Sequence, residues 1–264
     1  MPTIIHPASI VEPGVELGEN VNVGPFCVLK SGAKIGDNCL LYPGVVIESN
    51  TIIGKNNKIF HSAVIGGFPQ DLKYKGEQTF VEIGDNNIIR EFVTINRGTQ
   101  ATGLTKIGDG CLIMAYAHIA HDCRIGNNVI IANAVNMGGH VEIEDFAVVG
   151  GVVAIHQFVR VGRFSIIGGG LRITKDICPY IMVAGPPAQP AGINYVGLKR
   201  HNFPLETRTL LKRAYKVIFR SKFNTSEAVR ELETNFPQTP EIKAIIDFIS
   251  LSKRGLLKLG AKDD

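Results

Sequence analysis

Aliphatic residues recur at every sixth position along most of the chain. Series at this spacing run over 11–65, 83–95 and 107–173, and Met137 is the one member that is not Val, Leu or Ile. A second series two residues earlier holds small or β-branched residues: Val15, Val21, Cys27, Ala33, Cys39, Val45 and Thr51, then Cys111, Ala117, Cys123, Val129, Val135, Val141 and Ala147. A period of six is neither the helical 3.6 nor a simple strand alternation.

Two inward residues in every six describe a short strand followed by a corner. Gly18, Gly36 and Gly54 lie eighteen residues apart, so three hexads make one coil. The pattern predicts a triangular prism in which each coil pairs its backbone with the next and buries its aliphatic residues inside.

The hexads resemble those of the hexapeptide-repeat left-handed β-helix family. The resemblance supplies the handedness, because a period alone does not fix it and crossovers are usually right-handed. A β-sandwich and a right-handed solenoid are the alternatives. The repeat lapses at 68–80 and 98–105, and it resumes in register after each lapse. We therefore expect external loops there, which commonly carry function.

The pattern changes after residue 177. A Pro-rich connector is followed by apolar residues at helical spacing, with Pro204 in a first turn, Asn224 and Glu227 as a capping box, and Gly255 closing the last helix. The predicted fold is mainly β: a left-handed parallel β-helix domain over 1–190 and a C-terminal α-helical domain over 191–264.

Composition fits an ordinary globular protein, with 45% hydrophobic and 20% charged residues and a net charge of +4. The five cysteines form no C-x-x-C pair, and their odd number argues against a disulfide framework. Residues 1–14 lack the basic and apolar regions of a signal peptide, and no stretch approaches the roughly 20 apolar residues of a membrane span. We expect a cytoplasmic protein without stable membrane insertion.

Four of the seven histidines fall on one edge of the predicted prism. His118, His121 and Asp122 share a hexad, and the eighteen-residue coil places positions 139 and 157 beside 121. Those positions are Gly139 and Gln157, which are flanked by His140 and His156.

This cluster predicts acid–base chemistry. A histidine titrates near neutral pH and can take a proton from a hydroxyl, a carboxylate such as Asp122 can orient it, and the Gly139 N–H can stabilise an oxyanion. A stack of surface histidines and a zinc site, as in hexapeptide-repeat carbonic anhydrases, remain alternatives. The cysteines of the small inward series are expected to be packing residues.

Longer strings carry a closer resemblance. They are PQDLKYKGE at 69–77, REFVTINRGT at 90–99, AHIAHDC at 117–123, GGHV at 138–141, VAIHQF at 153–158 and NYVGLKR at 194–200. With the helical tail, they identify the chain as similar to the UDP-N-acetylglucosamine O-acyltransferases of lipid A biosynthesis.

The resemblance implies transfer of a 3-hydroxyacyl group from acyl carrier protein to the 3-hydroxyl of UDP-N-acetylglucosamine by a homotrimer, with no cofactor and no metal. It implies His121 as the base, Asp122 as its partner and Gly139 as the oxyanion donor. The implied substrate-binding residues are Asp71, Lys73, His118, His140, His156, Gln157, Asn194 and Arg200. Gly169 falls where the family limits acyl length, and glycine there predicts a longer chain.

Some residues depart from the family pattern. Asn96 replaces a common histidine, Val196 and His201 differ near the nucleotide, and Pro187 replaces a histidine beside the acyl groove. These differences leave open the acyl length, the uracil contacts and an acceptor with a 3-amino group.

A basic segment at the start of the tail predicts an acidic partner such as acyl carrier protein. It contains Lys199, Arg200, Arg208, Lys212, Arg213, Lys216, Arg220 and Lys222, opposed by Glu206. Nucleic acid is disfavoured, because no aromatic or base-reading motif accompanies the charge. The rival functions are a zinc-dependent lyase of the same fold, a non-catalytic scaffold, and the related enzyme that N-acylates the glucosamine intermediate.

Overall fold

The fold is a left-handed parallel β-helix followed by a helical C-terminal part, as predicted, in a computed structural model that describes residues 2–259. The strands are β1 (Ile4–Ile5), β2 (Ile10–Val11), β3 (Glu16–Leu17), β4 (Asn22–Val23), β5 (Val28–Leu29), β6 (Lys34–Ile35), β7 (Leu40–Leu41), β8 (Val46–Ile47), β9 (Thr51–Ile53), β10 (Lys58–Ile59), β11 (Val64–Gly67), β12 (Phe80–Ile83), β13 (Ile88–Ile89), β14 (Thr94–Asn96), β15 (Leu104–Ile107), β16 (Leu112–Ile113), β17 (His118–Ile119), β18 (Arg124–Ile125), β19 (Ile130–Ile131), β20 (Asn136–Met137), β21 (Glu142–Ile143), β22 (Val148–Val149), β23 (Ala154–Ile155), β24 (Arg160–Val161), β25 (Ile166–Ile167), β26 (Arg172–Ile173), β27 (Ile181–Ala184) and β28 (Gln189–Ile193).

These strands form three sheets, one on each face of the prism. The first sheet has the order β1-β4-β7-β10-β13-β16-β19-β22-β25-β27-β28, the second β2-β5-β8-β11-β14-β17-β20-β23-β26, and the third β24-β21-β18-β15-β12-β9-β6-β3. From β1 to β26, every third strand is a parallel neighbour, and Ile113 pairs with Ile131, which pairs with Val149. The register shift of eighteen residues is the coil length read from the sequence.

The core is the inside of the prism. The aliphatic series is buried where the structure has coils above and below it; Ile47, Ile95 and Ile131 are each 0% exposed. The small inward series fills the corners, where Cys123 and Ala117 are also fully buried. Burial of apolar area on this scale is the main stabilising term of the fold.

The corners are tight turns that require a left-handed backbone conformation. Asn is the residue type that tolerates this conformation best after Gly, and Asn20, Asn38, Asn56, Asn86 and Asn128 all have φ between 55° and 60°. Side chains from the next coil also bind these turns: Asp109 Oδ1 accepts a hydrogen bond of 2.7 Å from the N–H of Asp85. Each coil therefore fixes the corner of its neighbour.

Two loops leave the prism where the repeat lapses. Residues 68–79 connect β11 to β12, and residues 97–103 connect β14 to β15. Both loops end earlier than the sequence indicated, because Phe80 pairs with Leu104 as the strands extend beyond the hexad.

The helices are α1 (Tyr195–Arg200), α2 (Leu205–Arg220), α3 (Thr225–Asn235) and α4 (Pro240–Ser250). Asn224 and Glu227 form the predicted capping box at α3, whereas Pro204 is the N-cap of α2 and does not lie in its first turn. No helix among the described residues is long and apolar enough to cross a membrane.

The prediction that Gly255 closes the last helix is wrong. Helix α4 ends at Ser250, because the chain then turns back to the prism. There the Ser252 hydroxyl donates a hydrogen bond of 2.6 Å to the buried Asp176 carboxylate. Gly255 accepts a hydrogen bond from the Asp176 N–H.

The division into domains at residue 190 stays a prediction. Residue 190 falls inside β28, which pairs antiparallel with β27 at the end of the first sheet. Residues 260–264 of the predicted second domain lie outside the described residues.

Candidate active site

Most of the predicted site residues meet at one corner of the prism. This histidine corner consists of the turns 120–123, 138–141 and 156–159, which connect the second sheet to the third. Successive turns are joined by backbone hydrogen bonds, from the His140 N–H to the His121 carbonyl and from the Phe158 N–H to the Gly139 carbonyl. The period of the repeat therefore placed these residues correctly.

His121 and Asp122 form a hydrogen-bonded pair. His121 Nδ1 lies 2.7 Å from Asp122 Oδ2, and the side chains are 15% and 0% exposed. Because an ionised carboxylate only accepts, Nδ1 carries the proton and Nε2 has the free lone pair. Within residues 2–259, His121 Nε2 has no hydrogen-bond partner, so this nitrogen is available to a substrate.

Asp122 is held in place by the loop 97–103. Its carboxylate accepts hydrogen bonds from the Thr99 N–H, the Thr99 hydroxyl and the Thr102 hydroxyl. Burial raises the pKa of Asp122, but the hydrogen bonds from His121, Thr102 and Thr99 outweigh burial, and the pKa lies well below its ordinary value. Asp122 is therefore a buried anion beside the imidazole.

Gly139 lies directly against the His121 ring. A Cβ built on Gly139 would be 2.4 Å from His121 Cε1 and 2.7 Å from Nε2. In the part of the chain that the structure describes, the Gly139 N–H donates to no other residue. The His121 imidazole and an unpaired backbone donor therefore lie next to each other.

Two other histidines, His118 and His140, lie beside this pair. His118 Nδ1 lies 2.7 Å from the Thr94 hydroxyl, and burial, with a smaller contribution from His121, lowers the pKa of His118. The His140 ring stacks on Phe158 at 4.5 Å and meets His121 edge-on at 5.4 Å. Neutral imidazoles of this kind can donate or accept hydrogen bonds to a polar ligand.

On the next coil, His156 Nδ1 lies 3.1 Å from the carbonyl oxygen of the exposed Gln157. The predicted binding residues His118, His140, His156 and Gln157 therefore share the histidine corner or its adjoining strands.

The loop 68–79 brings Asp71 towards the same corner. Burial lowers the pKa of His140, while the charges of Asp122 and, to a smaller extent, Asp71 raise it. Asp71 Oδ1 also accepts a hydrogen bond of 2.9 Å from the Lys73 N–H, which shapes the loop. Asp71 is therefore close enough to the histidine corner to act on His140 electrostatically, and Lys73 lies two residues further along the same loop.

Three predicted residues lie at the other two corners. Gly169 belongs to the turn between β25 and β26, which joins the first sheet to the second. Asn194 caps α1 and donates 2.9 Å to the Phe164 carbonyl, at the corner between the third and first sheets, and Arg200 ends that helix. One chain does not bring these residues to His121.

His121, Asp122 and His140 are also a possible set of metal ligands, because one ligand atom from each lies within 4.8 Å of the others. His140 Nε2 is 3.6 Å from Asp122 Oδ2. Asp122 Oδ1 already accepts hydrogen bonds from the Thr99 N–H and the Thr102 hydroxyl, and Oδ2 accepts one from the Thr99 hydroxyl, so a metal would compete with these donors.

Sequence reasoning missed Thr99, Thr102 and Arg97. Arg97 is 3% exposed, donates 2.8 Å to the Gly66 carbonyl and lies 5.0 Å over the Phe68 ring, which anchors the loop 68–79. The sequence did carry one signal for the position of the loop 97–103. The repeat resumes at residue 107, eighteen residues before 125, so this loop lies one coil away from Asp122.

The departures from the family pattern have separate surroundings. Asn96 is 6% exposed, and its Oδ1 atom accepts no hydrogen bond from the residues described. His201 packs edge-on against Phe146 and Phe164 at the corner of Asn194.

Burial raises the pKa of Cys111 to about 11 and of Cys123 to about 12, so these packing residues are not thiolates.

Comparison with known proteins gives a consistent result. Residues 176–257 match the family model of UDP N-acetylglucosamine O-acyltransferase, domain 2, and residues 32–67 and 104–139 match the bacterial transferase hexapeptide model of six repeats. An acyl-[acyl-carrier-protein]–UDP-N-acetylglucosamine O-acyltransferase from Alkalilimnicola ehrlichii is 48% identical over 97% of this chain and 100% of its own length. One from Thermodesulfovibrio yellowstonii is 49% identical over 96% and 99%.

Solved structures agree with these relatives. A UDP-N-acetylglucosamine acyltransferase from Bacteroides fragilis superposes with a TM-score of 0.94 at 44% identity, covering 96% of this chain and 100% of that one. The Francisella novicida enzyme gives 0.95 at 39% identity, covering 97% and 95%. With the hexapeptide prism, the histidine corner and the helical tail, these matches show that the chain belongs to the UDP-N-acetylglucosamine O-acyltransferase family.

Proposed function

We propose that the protein transfers a (R)-3-hydroxyacyl group from acyl carrier protein to the 3-hydroxyl of UDP-N-acetylglucosamine, the first step of lipid A biosynthesis. One observation carries the proposal: the free Nε2 of His121, the anionic Asp122 and the unpaired N–H of Gly139 share one corner. General base, orienting anion and oxyanion donor are the groups that acyl transfer needs.

The reaction follows from these positions. The oxygen of the sugar 3-hydroxyl attacks the thioester carbonyl carbon while His121 Nε2 takes the proton of that hydroxyl. The carbonyl oxygen becomes an oxyanion, which the Gly139 N–H stabilises. The C–S bond then breaks, and the protonated imidazole returns its proton to the thiolate of the carrier. Asp122 stabilises the imidazolium between the two steps. The displacement is direct, and it requires no cofactor or metal.

The substrates are assigned to the surrounding residues. The sugar nucleotide or the thioester substrate is held by Asp71 and Lys73 of the loop 68–79 and by His118, His140, His156 and Gln157 at or beside the histidine corner. Asn194 and Arg200 bind the nucleotide end, and the open turn at Gly169 accepts a longer acyl chain.

A homotrimer is part of the proposal. Gly169 and Asn194 lie at corners away from His121, so neighbouring copies have to supply them to a shared site. The corner of Gly169 also carries exposed apolar side chains, including Tyr116 at 61% and Val152 at 69%, which a second copy would cover. Native mass spectrometry is expected to give a three-chain assembly, and a monomer would contradict this arrangement.

The acyl carrier protein is expected to dock on α2. Lys212, Arg213, Lys216 and Arg220 are exposed on this helix, and clustered basic side chains attract an acidic partner in a salt-dependent way. Because acyl carrier protein and the sugar nucleotide are found in the cytoplasm, we place the protein there.

The test combines the purified protein, UDP-N-acetylglucosamine and a panel of 3-hydroxyacyl carrier proteins, with products identified by mass. A mono-acylated nucleotide supports the proposal and gives the acyl length. His121→Ala should lose about 10²–10⁴-fold in kcat, the range that a general base commonly contributes. If only the 3-amino sugar nucleotide is acylated, the acceptor assignment is wrong.

A zinc-dependent lyase is the second candidate, favoured by the grouping of His121, Asp122 and His140. Stoichiometric zinc that survives dialysis, together with no acylated product, would support it over acyl transfer.

A further inference from the structure

The Asp122 carboxylate makes more hydrogen bonds than its pairing with His121 requires. The Thr99 N–H donates hydrogen bonds of 3.0 Å to Oδ1 and 3.2 Å to Oδ2. The Thr99 hydroxyl donates one of 2.7 Å to Oδ2, and the Thr102 hydroxyl donates one to Oδ1. All of these donors come from the loop 97–103, outside the hexapeptide repeat.

The two oxygens are held differently. Oδ2 lies between the Thr99 hydroxyl and His121 Nδ1, each at 2.7 Å, whereas Oδ1 accepts from the Thr99 N–H and the Thr102 hydroxyl. Rotation of the carboxylate would break several of these bonds at once. Asp122 itself has φ of 61°, a left-handed backbone conformation that aspartate tolerates.

We propose that Thr99 and Thr102 are positioning residues, whose hydroxyls fix the Asp122 carboxylate so that His121 keeps its proton on Nδ1 and presents Nε2 to the acceptor. The inference rests on the proposed function for its kinetic effect. Its structural content, the state of the His121 imidazole, can be measured without turnover.

The hydroxyls also decide which oxygen of Asp122 faces the imidazole. Oδ2, which lies against His121 Nδ1, is held by the Thr99 hydroxyl, and Oδ1 is held by the Thr102 hydroxyl. The other titratable groups near this pair are His118 and His140 on neighbouring strands and turns, and Asp71 on the loop 68–79. These groups are unchanged in threonine variants.

The experiment compares Thr102→Val and Thr99→Val, which remove a hydroxyl at nearly constant volume, with the matched controls Thr102→Ser and Thr99→Ser, which keep it. Each valine variant should lose on the order of 10-fold in kcat, the value of one hydrogen bond to a charged group. KM for both substrates should change less than about twofold, and the serine variants should recover most of the rate.

A second measurement needs no substrate. The 15N chemical shifts of the His121 side chain report which ring nitrogen carries the proton. The share of the Nδ1–H tautomer should fall in the valine variants and return to the wild-type level in the serine variants. Thr102 is exposed, so Thr102→Val tests the inference even if Thr99→Val does not fold.

The outcomes separate the two proposals. Valine variants with wild-type kcat and a wild-type share of the Nδ1–H tautomer overturn the positioning role. A wild-type protein that acylates no sugar nucleotide overturns the proposed function, and a smaller share of the Nδ1–H tautomer in the valine variants would still support the positioning role.

Discussion

Replacing Gly139 with alanine directly tests the position of His121, the proposed general base. The added Cβ would lie 2.4 Å from His121 Cε1, 2.7 Å from Nε2 and 3.0 Å from Nδ1. Carbon atoms pack best at about 3.5–4.0 Å, so the ring would have to retreat by about 1 Å. The 2.7 Å bond from Nδ1 to Asp122 resists this movement, because that carboxylate is itself held by Thr99.

The expected loss follows from this displacement. A misplacement of about 1 Å at a reacting group costs about 10²-fold in rate. The Gly139 N–H remains in the alanine variant, so the loss is attributed to the base and not to a missing oxyanion donor. We expect kcat to fall about 100-fold in steady-state assays with 3-hydroxyacyl carrier protein and UDP-N-acetylglucosamine, with a smaller change in KM.

Gly67→Ala is the matched control. Its Cβ would meet only the Asn96 amide at 3.3 Å and Val64 Cγ1 at 3.9 Å, so activity should stay close to wild type. Melting temperatures of both variants report whether the prism is intact. A folded Gly139→Ala protein with wild-type kcat would show that His121 is not the base in this position.

Three further predictions follow from buried groups. Arg97→Lys should raise KM for the sugar nucleotide several-fold in steady-state kinetics with little change in kcat, because lysine loses the planar contact with Phe68 that anchors the loop 68–79. Burial lowers the pKa of His118 and His140, so the unfolded chain binds more protons below about pH 6.5, and stability should fall as the pH drops through that value. Urea unfolding at several pH values measures this, and constant stability down to pH 5 would contradict it. Ile131→Ala, at a position 0% exposed, should cost about 2–5 kcal/mol in the free energy of unfolding, and a cost below 1 kcal/mol would show that this core is not tightly packed.

Much of this protein follows from the sequence because its repeat is local and regular. The spacing of six residues decides which side chains face inward, and eighteen residues decide which corners are adjacent. His121, Gly139 and Gln157 could therefore be placed together by counting, and Gly169 could be assigned to another corner in the same way. The capping box of Asn224 and Glu227 was equally readable, because it depends on residues three positions apart.

Only the tertiary structure decided what lies outside the repeat. The loops 68–79 and 97–103 have no period, so the contacts of Thr99 and Thr102 with Asp122, and of Arg97 with Phe68, depend on how each loop folds back on the prism. The chain after residue 173 is placed by burial against the last coils, which is why the sequence missed the end of α4 at Ser250. Counting along a regular backbone fixes positions, whereas an irregular segment is fixed by the surfaces that it covers and the hydrogen bonds that it satisfies.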